Sequence, residues 1–189
     1  MKNRFIIRIK QDLKESRIDW KLALLFIPIA FFTYLFHEFG HWLVGELLGN
    51  DMVLSLNNSN ARNGYYIEKI HTLYISMGGP AFTILQAVFF LLIIEKTKSI
   101  YAYPFVFFAA FIRFFSIFFG GIHMQDEARI SSMLNVNIYI VPVIVLLVLF
   151  FLVWRSSYLL KMNVKVIGYY ITISTFAILL VIGVNYLIT

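Results

Sequence analysis

The chain has 189 residues, 60% of them hydrophobic, 18% aromatic and only 14% charged, a balance far from that of a soluble domain and suited to a bilayer. It contains no cysteine, which excludes disulfides and thiolate ligands, so any metal must be held by histidine and carboxylate side chains. The net charge of +6 reads as membrane topology rather than nucleic-acid binding, because the basic residues gather in the N-terminal tail and between apolar runs.

In chain order, residues 1–20 read as a basic, partly amphipathic segment on the cytoplasmic surface of the membrane. They are too long and too mixed in charge for a signal-peptide start. The first apolar run, residues 22–36, is shorter than the roughly 20 residues needed to cross hydrocarbon. The span therefore continues through His37, Glu38, Phe39, Gly40 and His41 and closes there, with Trp20 and Trp42 as interfacial anchors. Two strand-like runs, 52–56 and 65–70, flank a turn-rich centre and predict a small β-hairpin over 52–70, whose free edge could pair with an extended substrate. Further spans are read at 73–94, 103–120, 138–154 and 166–188, with a long linker over 122–137. The expected fold is an all-α membrane protein of about five transmembrane helices with a β-hairpin between the first and second. It divides into the tail 1–20, a metal-binding core 21–135 and two additional helices over 136–189.

With the N-terminus inside, Lys and Arg number 7 in residues 1–21, 2 between the second and third spans (Lys96, Lys98) and 3 between the fourth and fifth (Arg155, Lys161, Lys165). The other side carries only Arg62, Lys69 and Arg129, and Arg113 falls within a span. This bias predicts a multi-pass protein of the cell membrane with a cytoplasmic N-terminus. The same topology brings three separated features to the outer side: the end of the first span, Met77 to Pro80, and the segment 120–128 after the third span.

The chemistry begins at HEFGH. Two imidazoles four apart on a helix are separated by about 6 Å of rise and about 40° of rotation, so both can reach one ion. Glu38 between them is placed to act as a base on water. A catalytic zinc takes three protein ligands and keeps a fourth position open. Glu46 points about 140° away from His41 and is discarded. Glu68, His71, His123, Asp126 and Glu127 remain as candidates for the third ligand. Asp126 can also be read as the cap of a helix starting at DEARISSML.

HEFGH in an apolar helix, a Gly78-Gly79-Pro80 element opening the next span, and an aspartate following the third resemble the site-2 protease family of intramembrane zinc metalloproteases over roughly residues 22–130. The resemblance implies one zinc ion held by His37, His41 and Asp126, with Glu38 as the catalytic base. It also implies a hairpin between the first two core helices and a membrane protein or peptide as substrate. The family's Asn-Pro element and aspartate-glycine pair are absent, with Glu127 following Asp126, so His123 and Glu127 stay open as alternatives. Gly78 and Gly79 would admit a close backbone, of a helix or a substrate, or serve helix packing. Arg113, an arginine within a span, is read as pairing with a carboxylate of the site, orienting a substrate group, snorkelling along its stem or facing Gln86. Two other functions use the same residues: a small transporter or proton relay, and a membrane protein that holds zinc for structure alone. They differ from a protease in showing ion flux, or a fourth coordination position filled by protein. Oligomeric state has no signature in the sequence.

Overall fold

The computed structural model describes residues 2–15 and 18–188; Arg17, counted above in the basic tail, lies outside the described residues. Among the described residues there are seven α-helices and one two-stranded sheet: α1 (Lys2–Glu15), α2 (Trp20–Leu47), β1 (Met52–Ser55), β2 (Asn58–Ala61), α3 (His71–Thr97), α4 (Tyr103–Gly120), α5 (Asp126–Met133), α6 (Ile140–Leu159) and α7 (Val164–Ile188). Five helices are long and apolar enough to cross a membrane, namely α2, α3, α4 with the short turn before it, α6 and α7. The chain has the architecture of a multi-pass membrane protein.

Helix α2 starts where Asp19 accepts the Leu22 backbone N–H at 2.7 Å, a side-chain cap on an otherwise unpaired donor. At 28 residues it measures about 42 Å, longer than the roughly 30 Å of hydrocarbon. HEFGH therefore does not close this helix as expected. His37 and His41 lie in its second half, and the helix runs on to Leu47.

Small residues set how closely the first two spans approach. A Cβ built on Gly40 would stand 2.5 Å from the carbonyl oxygen of Gly78, and one on Gly78 would overlap the carbonyl of Gly40. The backbones of α2 and α3 are in direct contact at the metal motif. About two helical turns further into the bundle, Gln86 on α3 donates to Thr33 Oγ1 on α2 at 2.9 Å and to the Phe105 carbonyl on α4 at 3.1 Å, joining three helices through one amide.

Helix α6 packs on α3 and α4, and α7 on α2 and α4, so the last two spans share one apolar core with the first three. Tyr170 of α7 is fully buried and meets Phe26 of α2 and Tyr103 of α4 edge-on, with ring centroids 5.1 Å apart in both pairs. Tyr103 also shares a 2.8 Å hydroxyl hydrogen bond with Ser157 of α6. At the same end of the bundle, α1 packs Leu13 against this core, leaves Ile6 and Ile7 exposed, and is tied to α7 by a 3.1 Å ion pair from Lys165 to Asp12.

The hairpin lies between α2 and α3, but its second strand is not where the apolar pattern puts it. The pairing is antiparallel from Met52 with Ala61 to Ser55 with Asn58, closed by Leu56 and Asn57. Residues 65–70, expected as a strand, are not in the sheet. The Ile67 N–H is taken by Asn50 Oδ1 at 2.9 Å, and the carbonyls of Glu68, Lys69 and Ile70 accept the first N–H groups of α3. With those groups committed to a helix start, the β-branched and aromatic side chains there have no strand to join.

Because the α2/α3 crossing has no room for a methyl group, Gly40→Ala should destabilise the bundle by about 1–3 kcal/mol. The expected readout is a lower thermal midpoint in detergent, whereas Ala at the exposed Leu24 should leave it nearly unchanged.

Candidate metal centre

The site is assembled by α2, α3, α4 and α5 around the two histidines. Each imidazole is fixed through its Nδ1. His37 Nδ1 lies 2.9 Å from Thr83 Oγ1, and that hydroxyl donates to the Gly79 carbonyl at 3.1 Å. The hydroxyl proton is thereby committed, so His37 Nδ1–H must be the donor to Thr83. His41 Nδ1 lies 2.6 Å from the Ile75 carbonyl, which can only accept, so this nitrogen also carries its proton. The Gly79 N–H, 3.3 Å from the same Nδ1, is then a contact rather than a hydrogen bond. Both neutral rings turn an unprotonated Nε2 inward, the tautomer a metal ligand requires.

Ile75, Gly79 and Thr83 follow one another at four-residue spacing, so a single stripe of α3 supplies both supports and the gap between them. The gap is necessary. A Cβ on Gly79 would overlap His41 Nε2 and stand 2.6 Å from His37 Nε2. Gly79 thus admits the imidazoles to the face of α3, while Gly78 serves the helix crossing and Pro80 is buried behind them. The backbone that approaches the histidines is that of α3 itself.

The third member comes from the linker between spans. Gln125, not Asp126, is the cap residue of α5; Asp126 opens its first turn and sends its carboxylate to the histidines. The expected capping role is therefore corrected. Asp126 Oδ2 lies 3.2 Å from His37 Nε2 and 3.3 Å from His41 Nε2, and the two Nε2 atoms are 3.2 Å apart. Arg129, one turn along α5, approaches the other oxygen at 3.5 Å.

Three electron-pair donors thus converge at nearly equal separations, and the tautomers leave no N–H among them. Tetrahedral bonds of about 2.0–2.1 Å to one ion would place neighbouring ligand atoms about 3.3 Å apart, which matches the observed triangle. The buried group of His37, His41 and Asp126 can hold a metal ion. The remaining side of the triangle faces a cavity of about 410 Å³, lined among others by Glu38, Tyr34, Arg113 and the hairpin residues Asn57 to Asn60. The Glu38 side chain is half-buried in that wall and makes no hydrogen bond to another described residue.

The other candidates for third ligand are elsewhere. His123 is exposed in the short turn Ile122–Met124. Glu68 is exposed beside His71, whose own Nδ1 is engaged by Asn50 at 3.2 Å. Glu127 is fully buried and belongs to Arg113, which donates from Nε to Oε1 at 3.0 Å and from Nη2 to Oε2 at 2.5 Å. Arg113 therefore pairs with a carboxylate, and neither snorkels nor faces Gln86. It also reaches the centre: Nη1 is 3.4 Å from His37 Nε2, and Nη2 is 3.9 Å from Asp126. The supporting roles of Ile75 and Thr83 escaped the sequence reading, although their spacing from Gly79 was a signal for them. No family model, curated protein or solved structure matches this chain.

Thr83→Val keeps the shape of the side chain but removes the oxygen that accepts from His37. Its expected effect is a loss of metal affinity of about 10- to 100-fold, measured by competition with a chelator.

Proposed function

We propose that this chain is an intramembrane zinc metalloprotease that hydrolyses peptide bonds of membrane-embedded or membrane-adjacent substrates. The observation that carries this reading is the triangle of His37 Nε2, His41 Nε2 and Asp126 Oδ2, with sides of 3.2–3.3 Å, open on one side to a cavity that Glu38 lines. Two imidazoles and one carboxylate form a nitrogen and oxygen donor set suited to zinc, and three protein ligands with a free position mark a catalytic rather than a structural site. The likeness of HEFGH, Gly78-Gly79-Pro80 and the later aspartate to site-2 proteases points the same way.

A bound zinc would supply Lewis acidity, polarising the scissile carbonyl and bringing the pKa of a coordinated water toward about 7. The chain supplies the proton handling and the positioning. Glu38 follows His37 directly on α2 and lies within electrostatic reach of His41, Asp126 and Arg113. It accepts the proton of the attacking water and returns it to the departing amine nitrogen as the carbon–nitrogen bond breaks. Thr83 and the Ile75 carbonyl keep the imidazoles in register, and Arg129 steadies Asp126 from its outer side. The excess of Lys and Arg on one side of the five-span arrangement supports a cytoplasmic N-terminus and a site facing the outer half of the cell membrane.

Protein purified without chelator should contain about one zinc per chain. Glu38→Gln should keep that zinc and lower cleavage of a membrane-embedded reporter by about 10²- to 10⁴-fold. Purified protein that neither contains nor takes up zinc, or a Glu38→Gln variant that cleaves at the original rate, would overturn the proposal.

A further inference from the structure

We infer that Arg113 is a second catalytic residue of this site, whose Nη1 donates to the negatively charged oxygen that develops on the scissile carbonyl. The inference rests on the metalloprotease reading and adds to it the group that receives the new charge. When water adds to the carbonyl carbon, the π electron pair moves onto the carbonyl oxygen and the water proton passes to Glu38. When that pair reforms the double bond, the carbon–nitrogen bond breaks and the nitrogen leaves with the proton from Glu38. Arg113 donates a hydrogen bond to the transient oxyanion and gives up no proton.

The placement of the guanidinium is the argument. Glu127 occupies one edge of it, taking Nε and Nη2 in a two-point contact that fixes the plane of the group. The corner left over is Nη1, which faces the centre 3.4 Å from His37 Nε2. That nitrogen's lone pair belongs to the metal triangle, so it is no lasting acceptor for Nη1. Arg113 lines the same cavity as Glu38 and Asp126, so the Nη1 hydrogens are presented where a substrate carbonyl would enter.

Electrostatics points to the same occupant. Arg113 and Glu127 are buried together, 6% and 0% exposed, and sum to no net charge, yet their pair is a dipole with its positive end toward the histidines. A divalent ion in the triangle would be repelled by that end. An anionic oxygen between ion and guanidinium is attracted by both, and it is the species that hydrolysis creates. A neutral ligand gains no such advantage.

The test uses the full chain loaded with Co²⁺, titrated with acetohydroxamate as an anionic probe and imidazole as a neutral one and followed by visible absorption. The variant is Arg113→Gln with Glu127→Gln, which removes both buried charges at once. We expect Co²⁺ binding and imidazole affinity close to those of the unaltered chain, with acetohydroxamate affinity lower by about 10- to 100-fold. Should that variant fail to fold, Arg113→Lys keeps a cation for Glu127 but lacks the third nitrogen, and the same selective loss is expected. Equal acetohydroxamate affinity in a folded variant, or equal losses for both probes, would overturn the role of Arg113 alone. Failure of the unaltered chain to bind Co²⁺ or Zn²⁺ would instead overturn the metalloprotease reading beneath it.

Discussion

The contact between the backbones of α2 and α3 at Gly40 and Gly78 is the constraint on which the site depends. Imidazoles on α2 are short side chains, and they can be steered from α3 only if the two helices touch. With glycine on both sides, the Ile75 carbonyl comes within 2.6 Å of one ring and Thr83 within 2.9 Å of the other. The same closeness would leave no space for the rings if Gly79 carried a side chain. Three glycines on two helices thus serve two purposes: two let the backbones meet, and the third makes the recess into which the histidines fit. None is needed here for an unusual backbone angle, since all three lie within regular helix.

The second organising feature is how charge is handled at depth. Arg113 and Glu127 would each be costly to bury alone, by several kcal/mol, and together they are tolerable because the contact is two-point and nearly dry. Removing only one partner leaves an uncompensated buried charge, so the pair behaves as a unit. The carboxylates are divided cleanly as a result. Glu127 is used up by Arg113, which leaves Asp126, its neighbour on the first turn of α5, as the acid that meets the histidines. Adjacent residues on a helix point about 100° apart, so one turn can serve a buried cation on one side and the metal triangle on the other.

The spans, the hairpin's presence and the histidine pair were legible in the sequence because each rests on a local pattern: unbroken apolar length, alternating and turn-rich composition, and a four-residue spacing. The division of labour between Asp126 and Glu127 was not, because both carboxylates sit in the same linker and the choice depends on where Arg113 of α4 ends up. The hairpin register failed for a related reason. Residues 65–70 have the β-branched and aromatic composition of a strand, but Asn50, just past the end of α2, takes the Ile67 N–H and the next carbonyls start α3. A polar side chain distant in sequence decided the backbone state there, and Tyr65 and Ile67 are left exposed. The end of the first helix was misplaced because apolar length alone ends the first span at His41, whereas Asp19 caps the helix early and the Asn50 side chain, bonded back to the Gly45 carbonyl at 3.1 Å, finishes it late.

The true position of the hairpin explains how a polar site can exist beside five apolar spans. Its turn and second strand bring Asn57, Asn58, Ser59 and Asn60 to one wall of the cavity, opposite Gln125, Asp126 and Arg129 from the α4–α5 segment. Backbone groups at membrane depth are tolerated only where they are paired or face water. The two strands of the hairpin pair with each other along one edge, and Asn57 to Asn60 line a polar cavity. The proposed hydrolysis would need water at a place where the surrounding helices exclude it. A hairpin folded back against α2 supplies a wettable wall without opening the helix bundle, and the large apolar core around Phe26, Tyr103 and Tyr170 stays intact below it.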